Sequence, residues 1–535
     1  MPTQSRLLRR LAEGFTAFAR RLRRDERGAI AVQFALLALP LAVLVFGLVD
    51  ISRVSLQRRQ MQDALDAATL IAARSTATTD SALDAVGDPA FAAEIAGLNL
   101  GLTTSNSTFK AGADNHVLGT ATGTLSPIIA NLWTKQNITI TATSDVVRAS
   151  KNLEVAIVLD ITGSMAGTRL SDLKTGASDL IDIVVKDVQS PFYSKVAIVP
   201  YSIGVNVGSY ADDIRGPVSS YNVTAITKAN SAVVTSNSHG LVTGDQVSFA
   251  SVAGMTMLNG NTYSVTATTA NTFTINANTS NSSKYTAGGV ATCEYSATNP
   301  GCTKFNFTNA NWGNTTFTLG NCVSERIGTN AYTDVAPSTA YVGRNYDSDN
   351  NPCPSATITP LSSDRTALKS AITSLSATGS TAGQVGFAWG WYMISPNFGY
   401  LWPNASQRPA AYKAKDLMKV VVLMTDGDFN TPYCKGVIAK DADSGSGSAS
   451  DHINCNATNG DPFAQTKKMC DEMKKSTYGL TIYTVGFTVT STDAKDVLNY
   501  CATDSDKVYF PATGSDLKSS FKSIAQGISN LRIAK

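Results

Sequence analysis

The fold is most clearly indicated by residues 155–165, which read VAIVLDITGSM. An uninterrupted aliphatic run at 155–159 leads directly into a turn that carries Asp160, Thr162 and Ser164. Such a run is typical of a strand buried on both faces of a parallel sheet. Carboxylate and hydroxyl oxygens are hard donors, which suit Mg²⁺, Ca²⁺ or Mn²⁺. The stretch therefore predicts a buried strand that ends in a candidate site for a divalent cation.

Two further segments supply donors for such a site. Residues 419–426 read KVVVLMTD and predict a second buried strand that ends in an acidic loop at Asp426. Residues 379–381 read GST, and they precede an apolar, helix-like stretch at 385–394. Because ligands of open α/β sheets bind beyond the carboxyl ends of the strands, we expect these loops to meet the first one.

With these three loops, the chain resembles the von Willebrand factor A (VWA) domain family. The resemblance implies a metal-ion-dependent adhesion site (MIDAS), in which five residues hold one divalent cation: Asp160, Thr162, Ser164, Thr381 and Asp426. The expected ion is Mg²⁺, with Mn²⁺ or Ca²⁺ as alternatives. Thr162 stands where the family more often has serine, but the hydroxyl donor is kept. The alternative interpretation is a structural VWA loop that has lost the metal.

Helical patterns alternate with strand patterns over the rest of this region, which implies a doubly wound parallel sheet. The predicted helices lie at residues 170–185, 362–375 and 515–531, and the predicted strands at 195–201, 481–487 and 507–510. We therefore expect an α/β, Rossmann-like VWA domain formed by residues 151–218 and 320–535, on either side of an insertion.

A membrane anchor is predicted near the N-terminus. Residues 28–49 contain no charged side chain, and as a helix they reach roughly 33 Å, enough to cross a hydrocarbon core of about 30 Å. A cleavable secretory signal is the alternative, but its apolar region is usually about 7–15 residues long. We therefore expect an uncleaved transmembrane helix at 29–49 that continues as a helix to about residue 75.

The residues before this helix form a basic arm at 1–28, with eight arginines against three acidic side chains. Such an arm keeps the N-terminus in the cytoplasm, so the large C-terminal part is expected in the periplasm and the anchor in a bacterial inner membrane. The arm either lies on the anionic inner leaflet or is a solvated tail. Since the whole chain carries +3, the remainder carries about −2, which does not favour nucleic acid as a partner.

All eight cysteines follow residue 292, in the part predicted to be exported. An even count in an exported region predicts four disulfides. Closeness in the chain suggests two pairs, Cys293–Cys302 and Cys434–Cys455. Cys470 and Cys501 flank the predicted strand at 481–487 and are expected to meet beside it. The spacings do not match a zinc site.

The N-terminal segment also resembles TadG-like proteins of tight-adherence (Flp) pilus systems. The resemblance rests on the Arg27-Gly28 junction, the apolar span, Asp50 and the D-A-A run at Asp66. Type IV prepilins are cut after a similar glycine and carry glutamate five residues later, but here Gln33 stands there, so processing at Gly28 is not predicted. Further matches to TadG-like VWA domains are Tyr201, Asn321-Cys322-Val323, Trp389-Gly390-Trp391, Ser395-Pro396 and Cys501-Ala502.

Three segments between these elements have less regular patterns. Residues 78–150 are rich in Thr, Ala and Asn and predict a small β region that links the anchor to the VWA domain. Residues 219–292 contain short alternating strands separated by turn clusters, which predict a small β-barrel or sandwich. This insert resembles the FCCH-like β-barrel, named after ubiquitin-activating enzymes, and implies a spacer or a second binding surface. Residues 293–352 are expected to be a Cys-containing irregular segment.

The motifs do not favour an enzyme, because the sequence has no H-E-x-x-H, G-x-S-x-G or Walker A pattern. We expect a membrane-anchored protein of Flp pilus assembly or adhesion, which binds an acidic side chain of a protein partner through the MIDAS. Other pilus assembly components are expected partners. The alternatives are a pilin-like structural subunit or scaffold without functional metal, and a metal-dependent hydrolase using Asp160, Asp426 and Asp428.

Overall fold

The computed structural model describes residues 26–75, 77–98, 102–112, 116–127, 136–147, 151–442 and 447–533. The chain forms two compact units, Met1–Ala149 and Ser150–Lys535. The predicted basic arm at 1–28 lies almost entirely outside the described residues, so its conformation stays a prediction.

The first unit begins with helix α1 (Glu26–Arg74), which is 49 residues long. Among the described residues, it is the one helix long and apolar enough to cross a membrane. Its apolar N-terminal half is exposed, whereas Met61, Leu65 and Ala68 in its C-terminal half are buried. One continuous helix therefore combines an exposed apolar segment with a second segment that packs in the core of the first unit. The anchor prediction requires such a helix.

A second helix, α2 (Asp80–Ala96), and an antiparallel sheet complete the first unit. The strands are β1 (Leu102–Ala111), β2 (His116–Leu125) and β3 (Ile138–Val147), in the order β1-β2-β3. The predicted β region at 78–150 was therefore incomplete, because its first part is helical. The apolar stripe of α2 is narrow, with only Leu83, Gly87 and Phe91 buried, and this is why its helical period is weak in the sequence.

The second unit is built around a six-stranded sheet in the order β17-β5-β4-β18-β22-β23. Its strands are β4 (Asn152–Asp160), β5 (Ser194–Tyr201), β17 (Thr359–Ser362), β18 (Leu417–Thr425), β22 (Leu480–Gly486) and β23 (Val508–Tyr509). All neighbours are parallel except β17, which runs antiparallel to β5 at one edge. The mixed α/β architecture expected from the sequence is confirmed.

Helices cover both faces of this sheet. They are α3 (Thr168–Val184), α4 (Ala211–Arg215), α5 (Arg365–Thr373), α6 (Gly383–Tyr392), α7 (Pro462–Met473), α8 (Thr492–Cys501) and α9 (Gly514–Ile533). The side chains of Val155 and Ile157 on β4 pack in one core with α3, α5 and α9. Ala156 and Val158 pack in the other core with α6, α7 and α8. The aliphatic run at 155–159 is thus buried on both faces, as predicted, whereas α7 and α8 were not predicted.

The insertion is an 11-stranded sheet in the order β16-β15-β14-β13-β10-β11-β12-β9-β8, with β6 paired to β15 and β7 to β13. Its strands are β6 (Val205–Asn206), β7 (Ser220–Asn222), β8 (Ala225–Ile226), β9 (Val233–Thr235), β10 (Gln246–Ala250), β11 (Thr262–Ala267), β12 (Thr272–Ile275), β13 (Val290–Ser296), β14 (Lys304–Thr308), β15 (Asn314–Ser324) and β16 (Gly343–Asp347). The β character predicted for 219–292 agrees with this sheet.

The prediction of an irregular segment at 293–352 was wrong, because β14, β15 and β16 extend the same sheet through it. The longest of these strands, β15, buries only its last three residues and leaves its polar first half at least partly exposed. A strand with few buried apolar positions lacks the alternation by which strands are recognised in a sequence. Long-range pairing rather than local pattern therefore forms this part of the sheet.

A small third sheet and four disulfides complete the second unit. The sheet joins β19 (Tyr433–Cys434), β20 (Val437–Ala439) and β21 (His452–Ile453). The disulfides are Cys293–Cys302, Cys322–Cys353, Cys434–Cys455 and Cys470–Cys501. The predicted count and the three suggested pairs are confirmed, and Cys322–Cys353 is the remaining pair. Cys470 and Cys501 join α7 to α8 within the core.

Candidate metal centre

The candidate centre lies where the two central strands end. β4 and β18 are adjacent and parallel, and Leu159 pairs with Met424 in the register of the sheet. Asp160 therefore ends one strand beside Asp426, the first residue after the other. The backbone N–H of Asp426 donates to Oδ2 of Asp160 at 3.3 Å. The sheet thus brings together two carboxylates that are far apart in the chain, as predicted from the strand ends.

The carboxylate of Asp160 is fully buried and held by four donors besides that N–H. Its Oδ1 accepts from the backbone N–H of Thr162 at 2.9 Å and from the hydroxyl of Thr162 at 2.6 Å. Its Oδ2 accepts from the hydroxyls of Thr425 at 2.8 Å and Tyr201 at 3.2 Å. These hydrogen bonds fix the orientation of the carboxylate, and they do so without a bound ligand.

A chain of oxygen atoms joins the two carboxylates through two hydroxyls. Oγ1 of Thr162 lies 2.6 Å from Oδ1 of Asp160 and 2.9 Å from Oγ of Ser164, which lies 2.7 Å from Oδ1 of Asp426. Each hydroxyl has one proton to donate. Two protons therefore serve three contacts, and with both carboxyls ionised one contact lacks a hydrogen. A proton on one carboxyl or a cation bound between these oxygens would stabilise this arrangement.

Thr381, the fifth predicted ligand, belongs to a separate loop that contacts the first one. The backbone N–H of Gly163 donates to the carbonyl of Gly379 at 2.9 Å, which ties that loop to the first one. The backbone N–H of Thr381 donates to Oδ1 of Asn430 at 3.0 Å. Among the hydrogen bonds of the described residues, none joins the Thr381 hydroxyl to either carboxylate. The structure thus links four of the five predicted residues by direct contacts, whereas the described hydrogen bonds of Thr381 connect it to Asn430.

Electrostatics at the centre favour an added positive charge. Burial, followed by the neighbouring carboxylate of Asp426, raises the pKa of Asp160 to about 6. Nη1 of Arg169 lies 2.9 Å from Oδ2 of Asp426, and the Asp426 side chain is inaccessible whereas that of Arg169 is 41% exposed. Arg169 and Thr425 were not predicted as members of the centre. Thr425 directly precedes Asp426, but nothing in the local pattern around Arg169 points to the site.

The donor set fits a hard divalent cation. Two carboxylates and three hydroxyls offer only oxygen, and Ser164 lies at the exposed rim. Within the part of the chain that the structure describes, no group of three or more His, Cys, Asp or Glu side chains converges. Oxygen donors of this kind are preferred by Mg²⁺, Mn²⁺ and Ca²⁺. The five predicted residues therefore offer donors of the type that a hard divalent cation prefers.

Family models match two separate segments. Residues 28–75 match the family described as "Putative Flp pilus-assembly TadE/G-like". Residues 229–294 match "Ubiquitin-activating enzyme E1 FCCH domain". Both resemblances noted in the sequence are thereby confirmed. No curated protein matches the chain.

Solved structures with vWF or pilus domains are similar to the chain at low identity. The vWF domain of the type V pili tip protein Mfa5 from Porphyromonas gingivalis is 11% identical, with a TM-score of 0.32, covering 72% of this chain and 97% of that one. The pilus adhesin SpaC from Lactobacillus rhamnosus GG is 11% identical, with a TM-score of 0.30, covering 79% and 34%.

A third similar structure is proximal thread matrix protein 1 from the mussel byssus, whose MIDAS motif is occupied by zinc. It is 10% identical, with a TM-score of 0.26, and the match covers 71% of this chain and 46% of that one. At TM-scores this low, none of the three determines the function of this chain. The two family matches describe two parts of the chain: residues 28–75 are TadE/G-like and residues 229–294 are FCCH-like. Both stand beside a mixed α/β domain in the sequence.

Proposed function

We propose that the chain is a membrane-anchored VWA-domain protein of a Flp pilus system that binds an acidic side chain of a protein partner through a divalent cation. The observation that carries this proposal is the oxygen chain between Asp160 and Asp426, which is one proton short when both carboxyls are ionised. A divalent cation held by Asp160, Thr162, Ser164, Thr381 and Asp426 supplies the missing positive charge.

The domain around this centre is proposed to be a doubly wound VWA domain. Parallel strands β5, β4, β18 and β22, with helices on both faces, support this assignment. The centre lies at the carboxyl ends of β4 and β18, where open α/β sheets bind ligands. We therefore assign partner binding to this edge of the sheet.

The bound cation gives an acidic side chain of the partner a positive centre to contact. Ser164 is exposed at the rim, whereas Asp160 and Asp426 are buried beneath it. An incoming carboxylate therefore approaches from the side of Ser164, and the buried carboxylates hold the ion from below.

The anchor is proposed to hold the protein in the inner membrane with one span. The exposed apolar half of α1 and the TadE/G-like match at 28–75 support this placement. The arginine-rich arm keeps the N-terminus in the cytoplasm. Residues after the span, including the metal centre and all four disulfides, then lie in the periplasm.

Metal titration of the full-length protein in detergent micelles tests the proposal. Isothermal titration calorimetry with Mg²⁺ or Mn²⁺ should show one binding event for the wild type and none for Asp160→Ala. Asp428→Ala is the matched control, since Asp428 is exposed in the same loop and takes no part in the oxygen chain. Equal metal binding by the wild type and Asp160→Ala would contradict the assignment of these residues.

A pilin-like structural subunit is the second candidate, and the first unit favours it. There, the C-terminal half of the long helix α1 packs with a three-stranded antiparallel sheet, while its apolar half stays exposed. Such an element can assemble with other helices in a membrane or a filament. If the wild type binds no divalent cation in the titration, this second candidate replaces the first.

A further inference from the structure

A groove lined with basic side chains lies in the second unit, away from the metal centre. Its cavity has a volume of about 250 Å³. Among the described residues, four cations line it: Arg215, Arg326, Arg344 and Lys435. Arg326 already donates to the backbone carbonyls of Thr333 and Val335. Two exposed apolar side chains, Ile327 and Tyr341, flank these cations. We call Arg215, Arg344, Lys435, Ile327 and Tyr341 the basic groove.

The cations of the basic groove are incompletely neutralised. Arg344 donates from Nη2 to the carbonyl of Pro217 at 2.9 Å, but its buried Nε has no hydrogen-bond partner. Within the described ranges, neither Arg344 nor Lys435 forms an ion pair. Arg215 pairs with the exposed Asp212 at 3.1 Å. The positive charge of Arg344 is therefore not balanced by an ion pair among the described residues, and it is available to an anion in the groove.

The one carboxyl group in the lining, that of Glu325, is already committed to other donors. Its Oε1 accepts from the side chains of Gln384 at 2.9 Å and Gln465 at 3.2 Å and from the backbone N–H of Tyr433 at 3.2 Å. Its Oε2 accepts from Asn459 at 3.0 Å. Glu325 therefore accepts hydrogen bonds from a group of buried amides and does not pair with the cations of the groove. Their positive charge is available to an external anion.

We infer that the basic groove binds an acidic peptide segment, with a carboxylate of the segment on Arg344 and Lys435. A guanidinium matches the two oxygens of a carboxylate, and an exposed ammonium adds a second positive contact. Ile327 is 64% exposed and Tyr341 is 55% exposed, so both offer apolar surface to the side chains beside that carboxylate.

The size of the cavity favours a peptide over a metabolite. Pockets that enclose small-molecule ligands usually measure roughly 300–1,000 Å³, which is more than this groove provides. A few side chains of a segment lying across the surface fit the available volume. A free inorganic anion uses only the cations and gains nothing from Ile327 and Tyr341. The groove shares no residue with the metal centre, so this binding is independent of the proposed metal site.

The test measures fluorescence anisotropy of a fluorescein-labelled peptide of alternating glutamate and leucine. Full-length protein in detergent micelles is titrated in the presence of EDTA, with a lysine–leucine peptide for comparison. We expect binding of the acidic peptide alone, about fivefold weaker for Lys435→Asn and roughly tenfold weaker for Arg344→Gln. Both losses should shrink as the salt concentration rises, because added ions screen exposed charges.

Lys413→Asn is the matched control. Lys413 and Lys435 are both exposed and both have left-handed backbones, with φ of 53° and 51°, a conformation that asparagine tolerates. Lys413→Asn should bind the acidic peptide as the wild type does. Three results would overturn the inference: equal losses for both lysine variants, equal binding of acidic and basic peptides, or Lys435-dependent binding of inorganic phosphate without binding of the peptide. Should Arg344→Gln fail to fold, the two lysine variants decide the question alone.

Discussion

Arg169 donates to Oδ2 of Asp426 at 2.9 Å, while Oδ1 of the same carboxylate accepts from Ser164 at 2.7 Å. Arg169 also reaches the carbonyl of Ser164 at 3.3 Å. Among the residues that the structure describes, the positive charge that contacts this carboxylate is the guanidinium of Arg169. Since Asp426 is a proposed metal ligand, the cation that enters the centre competes with Arg169.

Arg169→Ala should therefore bind divalent cations more tightly than the wild type. An ion pair with one exposed partner contributes about 0.2–1 kcal/mol, so the gain in affinity should be roughly 1.4- to fivefold. Calorimetric titration with Mn²⁺ measures it. Lys174→Ala on the same helix is the control, because Lys174 donates to the carbonyl of Thr373 and not to the centre. Unchanged affinity in Arg169→Ala would show that the guanidinium does not compete with the metal.

The buried carboxyl of Glu325 should make stability depend on pH. Burial raises the pKa of Glu325 from its ordinary value of 4.5 to about 7. The unfolded chain loses this proton near pH 4.5, whereas the folded chain keeps it until about pH 7. The contribution to the free energy of unfolding is therefore complete below pH 4.5 and is lost as the pH rises through this window, by about 3 kcal/mol at most.

Urea unfolding at pH 5 and pH 7.5 checks this effect, followed by the fluorescence of the buried Trp389, Trp391 and Trp402. The loss of stability between the two pH values should be smaller in Glu325→Gln than in the wild type. Glu294→Gln, on strand β13, should keep the loss of the wild type. Identical pH profiles for all three proteins would rule out Glu325 as the cause.

Loss of the disulfide between α7 and α8 should destabilise the second unit. Cys470 and Cys501 are both inaccessible, lie in the core and close a loop of 31 positions. Removal of a native bridge typically costs about 2–5 kcal/mol, so the double variant Cys470→Ser/Cys501→Ser should unfold at a lower urea concentration. The matched double variant at Cys434 and Cys455 should lose less, because its loop spans 21 positions and Cys455 is only partly buried. Equal losses of stability in the two double variants would show that loop length and burial do not determine how much each disulfide stabilises the unit.

The proposed topology predicts where fused reporters are active. Alkaline phosphatase, which folds only outside the cytoplasm, should be active when fused after residue 535 and inactive when fused before residue 1. The reason is that the arginine-rich arm stays on the cytoplasmic side of the apolar span. An inactive C-terminal fusion on a stably accumulated protein would contradict this orientation.

Local patterns were enough to predict the two central strands and most of the centre. The aliphatic runs that lead into Asp160 and Asp426 indicate buried parallel strands. The candidate oxygen ligands follow these runs within a few positions, so they can be found from the local sequence. The start of α5 was also predictable, since Asp364 accepts from the backbone N–H of Ala367 as an N-cap. Helix α9 was predictable from its helical period, because Leu517, Phe521 and Ile524 form a buried apolar stripe.

Local patterns failed where pairing rather than periodicity forms the structure. Strand β15 is polar over its first half, so its place in the sheet comes from partners β14 and β16. The Ala-rich helix α2 has too narrow an apolar stripe to be recognised. The pair Cys322–Cys353 spans 31 positions, and no feature of the chain between them predicts that they meet.

The sequence alone was sufficient for the two strand ends that carry Asp160 and Asp426, the count of disulfides and the apolar span, because each depends on residue type and short-range order. Tertiary structure alone decided that Arg169 neutralises Asp426, that Tyr201 and Thr425 hold Asp160, and that Arg344 and Lys435 line one groove. These relationships join residues from separate strands, helices and loops. Their energies arise from charge, burial and distance in space, and positions along the chain do not encode such distances directly.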